Sequence, residues 1–182
     1  MQNKAFSPNR PFINRIMGIV QHYNHTKYWK LRQEVVNPQS KKPKLILLLY
    51  LYYIKRCDAF NNSTMGTDLG QGAFFYSPPI LPHHFGIVIA HNATIGRNCT
   101  IFQHVTITQG DEKQGAVIGD NCLIGAGATI LGGVHIGNNV KIGANAVVTH
   151  DIPSNATAIG VPAVVTYHSQ VGVADETKLE KT

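Results

Sequence analysis

The sequence predicts a mainly β chain wound into a parallel β-helix, with a short α-helical region before it. Three observations lead there. Aliphatic residues recur every six positions, at Ile95, Ile101 and Ile107 and again at Ile118, Ile124, Ile130, Ile136, Ile142 and Val148. Two positions before each stands a small or compact residue: Ala93, Cys99, Val105, Ala116, Cys122, Ala128, Val134, Val140 and Ala146. One position after, glycine recurs at Gly96, Gly119, Gly125, Gly137 and Gly143. A helix repeats apolar residues at three and four and a strand at two, so a strict six with fixed offsets fits neither. Three six-residue units close one triangular coil, with the aliphatic residues inside and Gly or Asn at the corners. Coils stacked at the strand spacing of roughly 4.8 Å bury a column that no single coil could bury alone. The competing β-sandwich has looser turn spacing. The period leaves the hand of the winding open.

Taken in chain order, residues 1–60 read as an N-terminal arm and short helices. Residues 1–11 are polar and hold Pro8 and Pro11, which suits a loose arm. From Phe12 to about Val36, Ile16, Ile19, Val20, Tyr23 and Tyr28 recur at mixed three and four spacings and predict one or two short helices. Asn37-Pro38-Gln39-Ser40 breaks them, and a further helix is expected from about Pro43 to Ala59. Residues 61–166 are the coil domain, irregular at first through Leu69-Gly70 and Ala73–Ile80. Ser77-Pro78-Pro79 cannot be central strand and reads as a loop lining the approach to His83. The clean coils run from about 87 to 152, broken once by the excursion at 108–115, TQGDEKQG, whose polar residues and two glycines suit a site wall better than core. Asp151-Ile152-Pro153 and Gly160-Val161-Pro162-Ala163 close the winding. Residues 167–182 are a tail, polar and without a visible fold requirement from Asp175 on.

Bulk composition narrows the function classes. The 182 residues make one domain with an appendage, 14% of them are charged, and the formal net charge is +6. The basic residues gather before the repeats, at Lys27, Lys30, Arg32, Lys41, Lys42, Lys44, Lys55 and Arg56. No aromatic and basic stacking surface and no recognition-helix module accompanies them, so nucleic acid is not an expected partner. Cys99 and Cys122 occupy the small position of the repeat, so packing explains them, and with Cys57 they form no CxxC pair, so a reducing, cytoplasmic setting is expected. No signal peptide is read at the N-terminus. Leu45–Ile54, LILLLYLYYI, is too short to span a bilayer. Either it packs on the coil or at a subunit contact, or, flanked by lysines, residues 41–56 touch a membrane surface.

The segments LPHHFGIVIAHNATIG (81–96), IFQHVTI (101–107), VIGDNCLIGAGATILGGVHIGNNVKIGANAVV (117–148) and AIGVPA (158–163) resemble the hexapeptide-repeat acyltransferases. Within them they resemble the serine acetyltransferase-like branch that includes polysaccharide O-acetyltransferases. The resemblance implies a left-handed winding, a homotrimer, acetyl-CoA in a groove between subunits, and direct acetyl transfer to a hydroxyl. The branch's catalytic histidine, in an L-x-H segment before GIVI, falls on His83. Histidine suits the step, because an imidazole titrating near neutrality can take the hydroxyl proton as oxygen attacks the thioester. The carboxylate that the branch sets beside it falls on Asn62, with Asp58 or Asp68 as substitutes. Gln103 and His104 match a polar segment of the branch and are either site lining or surface corners. Gly125, Ala126, Lys141, Gly143 and Ala144 match coils facing the cofactor, and Gly160, Val161 and Pro162 match its adenine side. Where serine acetyltransferases carry an Arg-His pair, this chain reads Lys113-Gln114-Gly115-Ala116, so no guanidinium is offered to an amino-acid carboxylate there. That leans toward a saccharide acceptor, with serine as the alternative and a noncatalytic scaffold behind both. The histidines lack carboxylate support in a compact motif, so no metal is expected.

Overall fold

In the computed structural model, residues 24–110 and 114–167 are described. The early helical pattern between Phe12 and Tyr23 and the tail from 168 lie outside them. Helix α1 runs His25–Val36, started by Asn24, whose side-chain oxygen accepts the Lys27 amide at 2.9 Å. Helix α2 runs Lys44–Phe60, one residue later at each end than the sequence suggests. Tyr28, Trp29 and Val35 of α1 and Ile54 and Cys57 of α2 join the core of the coil, so the helices form a lid over its first turn.

The coil is a left-handed parallel β-helix with three faces. Before the stacked strands, Thr67–Asp68 (β1) pairs antiparallel with Gln71–Gly72 (β2). Face one stacks Val88–Ile89 (β4), Thr106–Ile107 (β7), Thr129–Ile130 (β10) and Val147–Val148 (β13). Face two stacks Phe74–Phe75 (β3), Thr94–Ile95 (β5), Val117–Ile118 (β8) and His135–Ile136 (β11). Face three stacks Thr100–Ile101 (β6), Leu123–Ile124 (β9), Lys141–Ile142 (β12) and Ala156–Ile159 (β14). In these two-residue strands of the coil from β4 to β13 the second side chain points inward and is buried, while the first faces out. Burying an isoleucine fully stabilises by about 1.5–3 kcal/mol, and such residues from three faces meet on one axis. Cys99 and Cys122 are buried in the small-residue column, as their phase requires.

Val88 pairs with Thr106 eighteen residues on, but Thr106 pairs with Thr129, twenty-three on. The five extra residues belong to the excursion, pinched shut where the Gly110 amide donates to the Gln114 carbonyl at 2.9 Å and Gln109 bridges Gly115. At the far end the chain turns at residues 160–163, and Val164–Tyr167 (β15) then pairs antiparallel with β14.

Candidate active site

Every coil turns from face three to face one through a residue in the left-handed backbone region. Asn62, Gly86, His104, Gly127 and Asn145 have φ of 49°, 65°, 58°, 70° and 57°. Their neighbours are hydrogen-bonded in sequence up this edge: Gly86 amide to Asn61 carbonyl at 2.9 Å, His104 to Phe85 at 3.0 Å, Gly127 to Gln103 at 3.0 Å and Asn145 to Ala126 at 2.8 Å. Val147 completes the series by donating to the Gly160 carbonyl at 3.0 Å. One edge therefore gathers Asn62, His83, Gln103, His104, Gly125, Ala126, Gly143, Ala144 and Gly160–Pro162. Lys141 stands apart, exposed on face three in register with Leu123 and Thr157.

At the base of the edge, a cleft of about 540 Å³ separates α2 from the coil. Asn62, Ser63, Thr64, Gly86, Val88 and His104 line one side, and Lys55, Asp58 and Ala59 the other. The corner is tightly built. Ser63 Oγ accepts the Ile87 amide at 3.1 Å and donates to the Asn61 carbonyl at 3.0 Å. A Cβ on Gly86 would collide with the His104 ring, whose edge also meets Phe85 at a centroid distance of 5.6 Å. Gly86 is thus required both by its φ and by the ring above it.

The doubled histidine divides its duties. His83 is exposed at the turn, where its carbonyl accepts the Phe85 amide at 3.0 Å. His84 turns inward against Tyr28, 6.2 Å between ring centroids, and burial pushes its pKa down to about 4. Beside them Asp58 accepts the Tyr28 hydroxyl at 2.7 Å, and burial raises its carboxyl to about 6 despite that bond. Sequence reasoning did not find this buried pair, because thirty residues separate its members. Neither substitute carboxylate makes a salt bridge or hydrogen bond to His83 among the described residues. Asp58 faces Tyr28, and Asp68 pairs with Lys55 at 3.6 Å and His91 at 4.0 Å. Gln103 is half-buried, and its Oε1 has no hydrogen-bond partner among the described residues, which leaves a buried acceptor beside the edge.

The glycines at the cofactor-type positions have packing duties of their own. A Cβ on Gly125 would come within 2.6 Å of the Ala144 nitrogen, and one on Gly143 within 2.8 Å of Ile159 Cγ2. Ala144, Gly160, Val161 and Pro162 are exposed and leave the upper edge open. The excursion leaves from a different edge, between faces one and two. Within one chain it does not flank His83. No group of three or more metal-ligating side chains occurs among the described residues.

The buried acid and base oppose one another in their effect on stability. Asp58, raised from 3.8 to about 6, disfavours folding as pH rises through that window. His84, lowered from 6.5 to about 4, disfavours folding as pH falls through nearly the same window. The native chain is expected to show a shallow stability profile there. Asp58→Asn, which keeps an oxygen for Tyr28, should be more stable than the native chain above pH 6 by roughly 1–3 kcal/mol. The advantage should vanish near pH 4, as urea unfolding at the two pH values would show. Equal curves at both would sink the assignment.

The structure is thus a three-faced left-handed coil wound on a six-residue phase, with His83 and His104 at its turns from face three to face one. The family model for "Bacterial transferase hexapeptide (six repeats)" matches residues 115–150. Serine acetyltransferase of Synechococcus elongatus is 40% identical over 111 residues, which are 59% of this chain and 43% of that protein. The Staphylococcus aureus enzyme (strain Mu50) is 40% identical over the same length, covering 52% of it. A solved serine acetyltransferase in complex with CoA aligns at TM-score 0.56 and 32% identity, over 68% of this chain and 49% of that one. Soybean serine acetyltransferase complexed with serine aligns at TM-score 0.56 and 29% identity, over 85% and 58%. Residues 115–150 therefore carry hexapeptide repeats, and the coil is similar in sequence and structure to the serine acetyltransferases. The chain spans about half the length of the curated relatives it matches.

Proposed function

We propose that this protein is an acetyl-CoA-dependent O-acetyltransferase acting on a small hydroxyl compound, with His83 as general base. The observation that carries the reading is the single edge on which His83, Gln103 and His104 stack beneath Ala126, Ala144 and the exposed Gly160–Pro162. A relative solved with CoA supports acetyl-CoA as the donor. An extended pantetheine arm laid along this edge would bring the thioester down to the histidine turn.

The chemistry follows from the arrangement. The acceptor hydroxyl gives its proton to His83 as its oxygen bonds to the thioester carbon. The tetrahedral oxygen needs a donor, which a backbone amide at the corner can supply. The C–S bond then breaks, and the imidazolium returns its proton to the departing thiolate. Association as a homotrimer would bring a neighbour's excursion toward this edge, since a chain's own excursion leaves elsewhere.

Serine is the acceptor that the relatives name, and one relative was solved with it bound, so serine is the first reading. A saccharide acceptor is the second, favoured by the absence of arginine from the excursion TQGDEKQG. Thiol release from acetyl-CoA, followed with serine, simple sugars, nucleotide sugars and oligosaccharides in turn, separates them. Release with serine alone supports the first reading and release with sugars alone the second. A protein that fails to bind CoA is no acetyltransferase.

A further inference from the structure

Helix α2 has two apolar stripes, and the fold uses one. Leu47, Ile54 and Cys57 face inward and are buried. On the opposite side Leu45, Leu48, Leu49 and Tyr52 are 70%, 48%, 61% and 66% exposed. Their i, i+3, i+4, i+7 spacing aligns them along about two helical turns. Arg56 continues the same line, and Lys41, Lys42 and Lys44 lie exposed at the other end. The charge around the stripe is one-sided. Residues 1–60 hold eleven of the sixteen Lys and Arg but only Glu34 and Asp58 of the ten Asp and Glu. Asp58 is buried, and Asp68 of the coil is taken up by Lys55.

We propose that this outward stripe of α2 seats the protein on an anionic membrane surface. The helix lies in the interface, its leucines among the acyl chains and its lysines at the headgroups. It does not cross the bilayer, since among the described residues no helix is long and apolar enough to do so. A second copy is the less fitting occupant. Two such helices packed antiparallel about a twofold axis would set Lys41, Lys42 and Lys44 against Arg56 of the other, like charge against like. An anionic headgroup layer answers the apolar stripe and the positive ends together. The consequence reaches the substrate side, because a protein lying on this helix holds the α2 cleft close to the lipid surface, where a lipid-anchored hydroxyl acceptor would be met.

The full chain should sediment with vesicles of phosphatidylcholine mixed with phosphatidylglycerol at low salt, and much less with phosphatidylcholine alone. The double variant Leu45→Glu with Leu49→Glu should lose about tenfold or more of that binding. Lys41→Gln, Lys42→Gln and Lys44→Gln together should weaken it and flatten its salt dependence. Both variants change exposed side chains outside the cleft, so native circular dichroism and unchanged acetyl transfer to a soluble acceptor are expected. Lost vesicle binding with retained transfer supports the proposal separately from the enzymatic reading. It is overturned by no sedimentation of the native chain or by equal sedimentation with neutral vesicles. It is also overturned if the glutamates lower the oligomeric mass of a chain that does not bind vesicles, which would assign the stripe to a second copy.

Discussion

His83→Ala should lower acceptor-dependent thiol release by about 10²–10⁴-fold, the usual worth of a positioned general base. The loss should fall on kcat, with the KM for acetyl-CoA unchanged, because in the proposed mechanism the side chain meets the reacting hydroxyl and not the cofactor arm. The substitution is well posed, since His83 is exposed and its backbone carbonyl, not its ring, makes the turn's hydrogen bond. Its neighbour is the control. His84 is directed against Tyr28 and held neutral by burial, so His84→Ala should cost stability while leaving a folded fraction that turns over. His104→Ala completes the set. If it removes activity and His83→Ala does not, the base is the histidine one coil higher, which lines the α2 cleft directly.

Arg32→Met is expected to be the most damaging single change to stability, at about 3–5 kcal/mol in urea unfolding. The guanidinium is buried beneath the helices. Nη2 donates to the carbonyls of Ala73, Met65 and Gly66 at 2.7, 3.0 and 3.3 Å, and Nε to Thr67 Oγ1 at 3.0 Å. It lies against the Phe75 and Trp29 rings, 4.7 and 5.3 Å from their centroids. Burial lowers its pKa to about 10, which leaves it charged at neutral pH. No carboxylate forms a salt bridge with it among the described residues, so carbonyl oxygens do the solvating. Methionine would fill the volume but give no donor to the Ala73 carbonyl, at about 1–3 kcal/mol. It would leave the Met65 carbonyl with only the long Thr67 hydroxyl bond at 3.4 Å, while the Gly66 carbonyl keeps the Ala73 amide at 2.7 Å. Lysine should restore only part, because one ammonium cannot span the same spread of acceptors. A change under about 1 kcal/mol would show that the first coil is held by something else.

Much of the fold was legible because a six-residue phase is a local signal. From Ile87 to Val148 each inward residue, each small residue and the cysteine positions could be read from spacing alone. Below that point the phase fails. Phe74 pairs with Thr94 and Ile80 with Thr100, twenty residues apart in each case, so the early coils are defined by register and not by a repeat. At the top, Val164-Val165-Thr166 carried a β-branched run, yet its antiparallel return to Ala156–Ile159 lies outside any hexapeptide logic. Helix α2 was visible, but its two stripes were not separable, because every turn of LILLLYLYYI is apolar. The site shows the same division. His83 stood out beside Pro82 and within a familiar segment, whereas the alignment of Asn62, His104, Ala126 and Ala144 on one edge emerges only when the coils are stacked. The placement of Asp58 under Tyr28 had no sequence signal at all.

Both ends of the coil are closed, by α1 and α2 below and by the β14–β15 hairpin above. The distance from the histidine turn to the Gly160 turn is therefore a count of coils. Four steps of roughly 4.8 Å give about 19 Å. Such a gauge is quantised. Point substitutions along the edge leave its length alone, while duplicating or deleting one eighteen-residue coil lengthens or shortens it by a full notch and keeps every neighbour in phase. The span between the two turns is in this sense a digital property of the chain, adjustable by whole coils and not by fractions of one.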